Sequence, residues 1–477
     1  MYTVQATTRL GGGRVEGVAG MTSPVETIVS SATVMTPSGS TATFVTTSHC
    51  LEVADKRDGR PIIFAFNGGP GAAAGFLDIG FLGPYGLEFA DGVRPGTHPP
   101  FRINVAADTI LDTADVVLID PPGTGLARLN PETDPKDFYG SIQDASATLA
   151  VIMDWCDRND RENSPRYLLG ESYGSVRAVE VLGRSLGGPT EGGWLPGMSF
   201  NGAILVGSVL DLARTMHGDL GFVQRTTAYA ASAWYHGIAG AGASLEAHVA
   251  QARTFANREL VVAMHEGLRL GGAHRRSITD RLSEAIGLPT GLLLRNNLRI
   301  TAEEFSKELL PSGRIGPFDA RYTASRQAIG ADVVADDAGM GQFSAAFAHA
   351  TRTRLRDLNV AKAADYKLID FASVGTPWDW GSGPGIVAPP DHVSRLSTAL
   401  DRDPELRVLF ANGYFDLVTP LGSAEYVAAQ VEPDASRVTV TPFVAGHMPY
   451  VGDEARKALT QSVRAFVTTG GPAPANS

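Results

Sequence analysis

Six short apolar runs punctuate the chain: PIIFAF (61–66), VVLID (116–120), YLLG (167–170), AILVG (203–207), VLFA (408–411) and VTVTPF (438–443). Each is bounded by Gly, Pro, Asp or Asn, the pattern of strands buried in a parallel sheet. Helical periodicity fills 141–157 after Gly140, 174–186 and 452–468. Strand and helix in alternation predict an α/β sheet with helices on both faces. Ahead of these runs, VETIVSSATVMT and STATFVTT flank Pro37-Ser38-Gly39, which predicts a hairpin. From about 211 to 370 the texture changes. Ala-rich, charged helical pattern dominates (LEAHVAQARTFANRELVVAMHEGL, SITDRLSEAIG, TAEEFSKELL) and strand-like runs are few. The expected organisation is a core over 1–210 that includes the hairpin, a helical cap insertion over 211–370, and a second part of the core over 371–477. The tail TTGGPAPANS is expected to fray.

Composition narrows the reading. Of 477 residues 43% are hydrophobic, enough for a sizeable core, and the net charge is −11. No Lys/Arg-rich run offers a basic face, so neither nucleic acid nor an anionic membrane is an expected partner. The two cysteines, Cys50 and Cys156, rule out a disulfide framework. MYTVQATTRL lacks the basic end and apolar stretch of a signal peptide, and no run nears the ~18 apolar residues that span a bilayer. A soluble, cytoplasmic protein is expected, or a secreted one if a leader has been removed. The sequence does not indicate the oligomeric state.

The chemistry concentrates in YLLGESYGSV (167–176). Gly170-x-Ser172-x-Gly174 lies between an apolar strand and a helix, which is the nucleophile elbow of α/β-hydrolases. The serine sits at a sharp turn, and glycines on either side let strand and helix pack around it. Gly-x-Ser-x-Gly alone is a weak signal; the flanking strand and helix give it weight. A serine hydroxyl needs a histidine base and a carboxylate to orient that histidine, in the chain order Ser, Asp/Glu, His. Asp416, just beyond the strand in VLFANGYFDLVTP, and His447, just beyond the strand in VTVTPFVAGHMPY, fit that order. Of ten histidines, His447 alone occupies a Gly-containing loop between a late strand and the last helix. His265 and His349 fall in helical pattern and read as packing or surface residues.

Acyl transfer also needs donors for the developing oxyanion. FAFNGGPGAAAG (64–75) is a glycine-rich turn after the first core strand. The N–H of Gly69, paired with that of Tyr173 after the nucleophile, is the expected oxyanion hole. Gly69-x-Gly71-x-x-Ala74 also matches a dinucleotide fingerprint, with Glu88 as ribose acid. That reading leaves the elbow and its partners unexplained, and Pro70 removes a donor that a pyrophosphate would use. The motifs call for no cofactor and no metal.

With these residues assembled, the sequence resembles the serine carboxypeptidases from about residue 60 to the last helix. FNGGPG (66–71), GESYG (170–174), NGYFDLV (412–418) and AGHMP (445–449) carry the resemblance, with IDPPGTG (119–125) a fainter block. The insertion, with LRNNLRITAEEFSKELL and IGPFDARYT, looks like that of bacterial members. The resemblance implies a carboxypeptidase that removes C-terminal amino acids from peptides. It also implies a protonated Glu171 that, with Asn67 and the N–H of Gly68, binds the substrate's terminal carboxylate. An ionised Glu171 would repel that anion; a buried, neutral one donates to it. Met448 would line the pocket of the departing residue. The sequence departs from the family pattern in three places. Phe81 stands where the family usually has a second glutamate, Ala72–Ala74 replaces a Cys-Ser-Ser, and IDPPGTG is one residue shorter than in eukaryotic relatives. The alternative is an acyltransferase or esterase that acts on a small metabolite with the same triad.

Overall fold

The computed structural model describes residues 1–53, 59–89, 92–188, 195–211, 218–325, 332–380, 391–432, 434 and 436–469. Its centre is a nine-stranded sheet in the order β1-β2-β3-β7-β4-β8-β9-β12-β13. These strands are β1 (Thr3–Val15), β2 (Val25–Met35), β3 (Thr41–Leu51), β4 (Ile62–Phe66), β7 (Asp115–Asp120), β8 (Arg166–Glu171), β9 (Gly202–Val206), β12 (Arg407–Gly413) and β13 (Val438–Phe443). Among the described residues, four further strands form two small ribbons: β5 (Tyr85–Leu87) with β6 (Ile103–Val105), and β10 (Arg314–Ile315) with β11 (Thr323–Ala324). From β7 to β13 every pairing is parallel; β1, β2 and β3 join as an antiparallel flank.

All six apolar runs are strands of the parallel part. Successive side chains on these strands face opposite sides. Ile63, Ala65, Val116, Leu118, Leu169, Ile204 and Leu409 enter one apolar cluster, which takes in Leu459, Val463 and Phe466 of the last helix, Asp453–Thr469. Phe64, Phe66, Val117, Leu168, Ala203, Leu205 and Phe410 enter the other. Helices Ser141–Arg158, Tyr173–Ser185, His392–Arg402 and Leu421–Val431 cover that second face. The sheet is thus a sandwich filling with helices on both sides, as the alternation predicts.

The predicted hairpin forms, with Thr36–Ser40 as its turn between β2 and β3. Sequence reasoning missed β1. TVQATTRLGGGRV has three consecutive glycines and no buried apolar face, so it reads as loop. Pairing along the length of β2, not burial, makes it a strand, with irregularities near Gln5 and Leu10. The described residues between β9 and β12 are largely helical, and helices within 219–309 share an apolar cluster with Tyr414, Phe415, Leu417 and Leu421. Helix Met340–Asp357 instead packs Phe343 and Phe347 into the cluster of the first sheet face.

Candidate active site

The site gathers at the carboxyl ends of β4, β8, β12 and β13, where strands give way to loops. At the end of β8, Ser172 has φ 57 and ψ −125, a backbone state that L-residues rarely adopt. Packing over-determines it. The Ser172 N–H donates to Val206 O at 2.8 Å, and Ser175 Oγ and N return hydrogen bonds to Ser172 O. A Cβ on Gly170 or Gly174 would collide with neighbouring backbone, so only glycine fits at either position. Ser172 itself is half-buried.

Asp416 and His447 emerge from adjacent strand ends and meet. His447 Nδ1 lies 2.8 Å from Asp416 Oδ2, and both side chains are buried. Asp416 Oδ1 accepts from the N–H groups of Val418 and Thr419, each at 2.9 Å. The Thr419 hydroxyl also donates to Asp416 Oδ2 and lies 3.0 Å from His447 Nδ1. Burial alone would lower the imidazole's pKa. The charge and hydrogen bond of Asp416 outweigh burial and raise it, and Glu171 and Asp337 add to the rise. Gly207 follows Val206 directly, has φ 54, and would place a Cβ 3.0 Å from His447 Cε1 and Nδ1. The imidazole therefore lies one residue from the backbone that holds Ser172.

Part of the support for this pair comes from the chain between β9 and β12. His447 N–H donates to Phe318 O at 2.6 Å, Leu417 N–H to Pro317 O, and Ala320 N–H to Phe415 O. The Phe318 ring meets His447 edge-on at 5.3 Å. The buried Asp319–Arg321 pair and Asp337, which accepts from the Phe318 N–H, hold that segment.

On the other side of Ser172, Asn67 Nδ2 donates to Glu171 Oε1 at 2.9 Å and Tyr450 Oη donates to Glu171 Oε2 at 2.6 Å. All three side chains are buried, and among the described residues Asn67 Oδ1 has no hydrogen-bond partner. Burial pushes the Glu171 carboxyl up from 4.5 to about 7. His447 and the hydrogen bonds from Tyr450 and Asn67 restrain the rise, and Asp416 adds to it. The Tyr450 ring stacks on Phe81 at 6.2 Å and 5°. Arg177 fixes the Asn67 backbone: its Nη1 donates to Asn67 O at 2.7 Å while its Nε pairs with the buried Asp144.

The glycine-rich turn lies against the elbow. A Cβ on Gly68 would come 2.5 Å from Tyr173 N and 2.8 Å from Ser172 Cβ. Gly69 has φ 102, open to glycine but strained for other residues. Among the described residues, the N–H groups of Gly68, Gly69 and Tyr173 donate to no protein acceptor. Ala73 N–H to Leu368 O and Asp370 N–H to Gly71 O stitch the turn to the 366–371 segment. Met448 is buried in the apolar cluster that holds Phe81 and Tyr450. The structure thus brings together Asp416 with His447, Asn67 with Glu171, and Gly68 with Ser172 and Tyr173. Sequence reasoning missed Thr419, Phe318, Arg177 and Tyr450. Tyr450 follows His447 by three residues, but no sequence signal gives its direction.

A mainly parallel sheet with a serine on a positive-φ strand-to-helix turn, and acid and histidine on later strand ends, is the α/β-hydrolase fold. Among solved structures, the chain is similar to a prohormone-processing carboxypeptidase, Kex1Δp from Saccharomyces cerevisiae. The TM-score is 0.55 at 14% identity, over 92% of this chain and 90% of that one. At that identity the likeness establishes the shared fold, and it agrees with the resemblance in the four sequence blocks. Proline iminopeptidase from Mycobacterium smegmatis (TM-score 0.38, 15% identity, 92% and 98% covered) and a carboxyl esterase from Bacillus coagulans (0.38, 10%, 92% and 97%) match too weakly to add to this. No protein-family model matches the chain. Among the described residues, no helix is long and apolar enough to cross a membrane.

Proposed function

We propose that the chain is a serine-type carboxypeptidase. The observation that carries this reading is the carboxyl of Glu171, buried directly before Ser172 and pushed up by that burial to about 7. A proton on such a group makes it a donor, able to bind a terminal carboxylate that the ionised form would repel. Asn67 and the Gly68 N–H complete that subsite. Ser172 Oγ attacks the last peptide carbonyl while His447 takes its proton. Asp416 holds the imidazole with Nδ1–H inward, which leaves Nε2 as the nitrogen that serves as the base. The N–H groups of Gly69 and Tyr173 stabilise the oxyanion, each donor worth ~3–4 kcal/mol. The C–N bond then breaks, His447 protonates the departing amine, and water, activated by the same imidazole, releases the acyl group. Met448 lines the pocket vacated by the leaving residue.

The test compares N-blocked dipeptides as free acids and as C-terminal amides, with Ser172→Ala as control. The free acid is cleaved faster, through a lower KM, and the control cleaves neither. Equal rates on acid and amide would remove the role of Glu171. An acyl-enzyme captured by an added alcohol faster than by water would instead favour the acyltransferase reading.

A further inference from the structure

Tyr450 is fully buried, yet its hydroxyl ends 2.6 Å from Glu171 Oε2. The ring's position is built from several sides. Phe81 stacks flat against it, and the neighbouring Gly80 leaves the space it fills, since a Cβ there would fall on Tyr450 Cδ2. The same position that lacks the family's usual second glutamate thus forms a slot for an aromatic ring that brings a phenol to Glu171. We propose that Tyr450 is a positioning residue for specificity: acting through Glu171, its hydroxyl sets the pH above which the site stops accepting a free carboxylate. This rests on the carboxypeptidase reading.

The physical argument concerns which form of Glu171 the phenol favours. A donor aimed at a carboxylate oxygen stabilises the ionised form. Burial disfavours it more strongly, and the balance leaves the group near neutrality, at about 7. Without Tyr450, burial would hold the proton to higher pH. The other groups facing Glu171 are Asn67 after β4, Asp416 after β12, and His447, in the same loop as Tyr450. Asp337 faces His447 in turn. Tyr450 itself stays a phenol throughout, because burial and the charge of Glu171 raise its pKa well above 10.

The experiment measures KM from pH 5 to 9 for an N-blocked dipeptide acid and its amide, with wild type and Tyr450→Phe. Phenylalanine keeps the stack on Phe81. In wild type the acid's KM rises above pH ~7 and the amide's does not; limbs that belong to His447 appear for both substrates and cancel in the ratio. In Tyr450→Phe the acid's limb moves up by about one pH unit, so that KM at pH 8 to 9 falls up to about tenfold relative to wild type. Amide turnover and fluorophosphonate labelling of Ser172 report that the variant is folded. If it does not label, Phe81→Leu, which frees the ring, is read in the same way. A limb unmoved in a labelling variant overturns the role of Tyr450 and leaves the carboxypeptidase reading intact. No acid preference at any pH overturns both.

Discussion

Replacing Asp416 by Asn probes the geometry of the acid–histidine pair at constant size. Asp416 Oδ1 accepts two backbone N–H groups at 2.9 Å, and Oδ2 accepts from the Thr419 hydroxyl and from His447 Nδ1 at 2.8 Å. In the amide, the two backbone donors fix the remaining oxygen at the Oδ1 site, so the NH₂ points at Thr419 and His447. Two donors cannot face each other, so Nδ1 must become the acceptor and the imidazole proton moves to Nε2. A protonated Nε2 cannot take the serine's proton. The expected fall in kcat is ~10⁴, the scale seen for this change in an unrelated triad, or about 5.5 kcal/mol of transition-state stabilisation. Substrate contacts are untouched, so KM changes little. Most hydrogen bonds survive with a neutral partner, so stability falls by only ~1–2 kcal/mol. Steady-state kinetics on a dipeptide free acid, with thermal unfolding alongside, measure both. A labelling-competent Asp416→Asn variant with kcat within tenfold of wild type would refute the tautomer argument.

Two further substitutions follow from the same geometry. Glu171 is raised from 4.5 to about 7 in the folded protein; a raised acid leaves stability intact below the unfolded value and removes it as pH climbs through the folded one. Glu171→Gln removes this pH dependence, so its stability relative to wild type rises by on the order of 3 kcal/mol between pH 4 and pH 8. Urea unfolding at pH 4 and pH 8 reads this, and a difference independent of pH would contradict it. Gly207→Ala forces a φ of 54 on a β-carbon that sits 3.0 Å from His447 Cε1 and Nδ1; kcat falls at least about tenfold with a lowered melting temperature. Wild-type kcat in that variant would mean that the imidazole does not depend on this close approach.

What the sequence exposed is what local pattern encodes. PIIFAF and VVLID are apolar on both faces because helices cover both faces of their sheet, and burial leaves that mark without any partner being known. The elbow is readable because a sharp strand-to-helix turn around a serine admits glycine and little else. Asp416 and His447 are readable because they follow late strands, and the sheet's parallel order brings consecutive strand ends together. β1 was not readable, since TVQATTRLGGGRV earns its strand from backbone pairing with β2. Nor was Tyr450, because the direction of a ring depends on Gly80 and Phe81, which lie 370 and 369 residues earlier in the chain. Phe318 and Ala320 belong to the same class. Their backbone contacts to His447 and Phe415 join segments that share no periodicity.

Those last contacts have a bearing on how the protein changes over evolutionary time. Pro317, Phe318 and Ala320 are laced to the loops of Asp416 and His447 by three main-chain hydrogen bonds, which no replacement short of proline deletes. This stretch is therefore a scaffold for Asp416 and His447. A shift of backbone at these three residues displaces Asp416 and His447 together. Libraries aimed at new substrates should leave 317–320 fixed and vary the flanking helices.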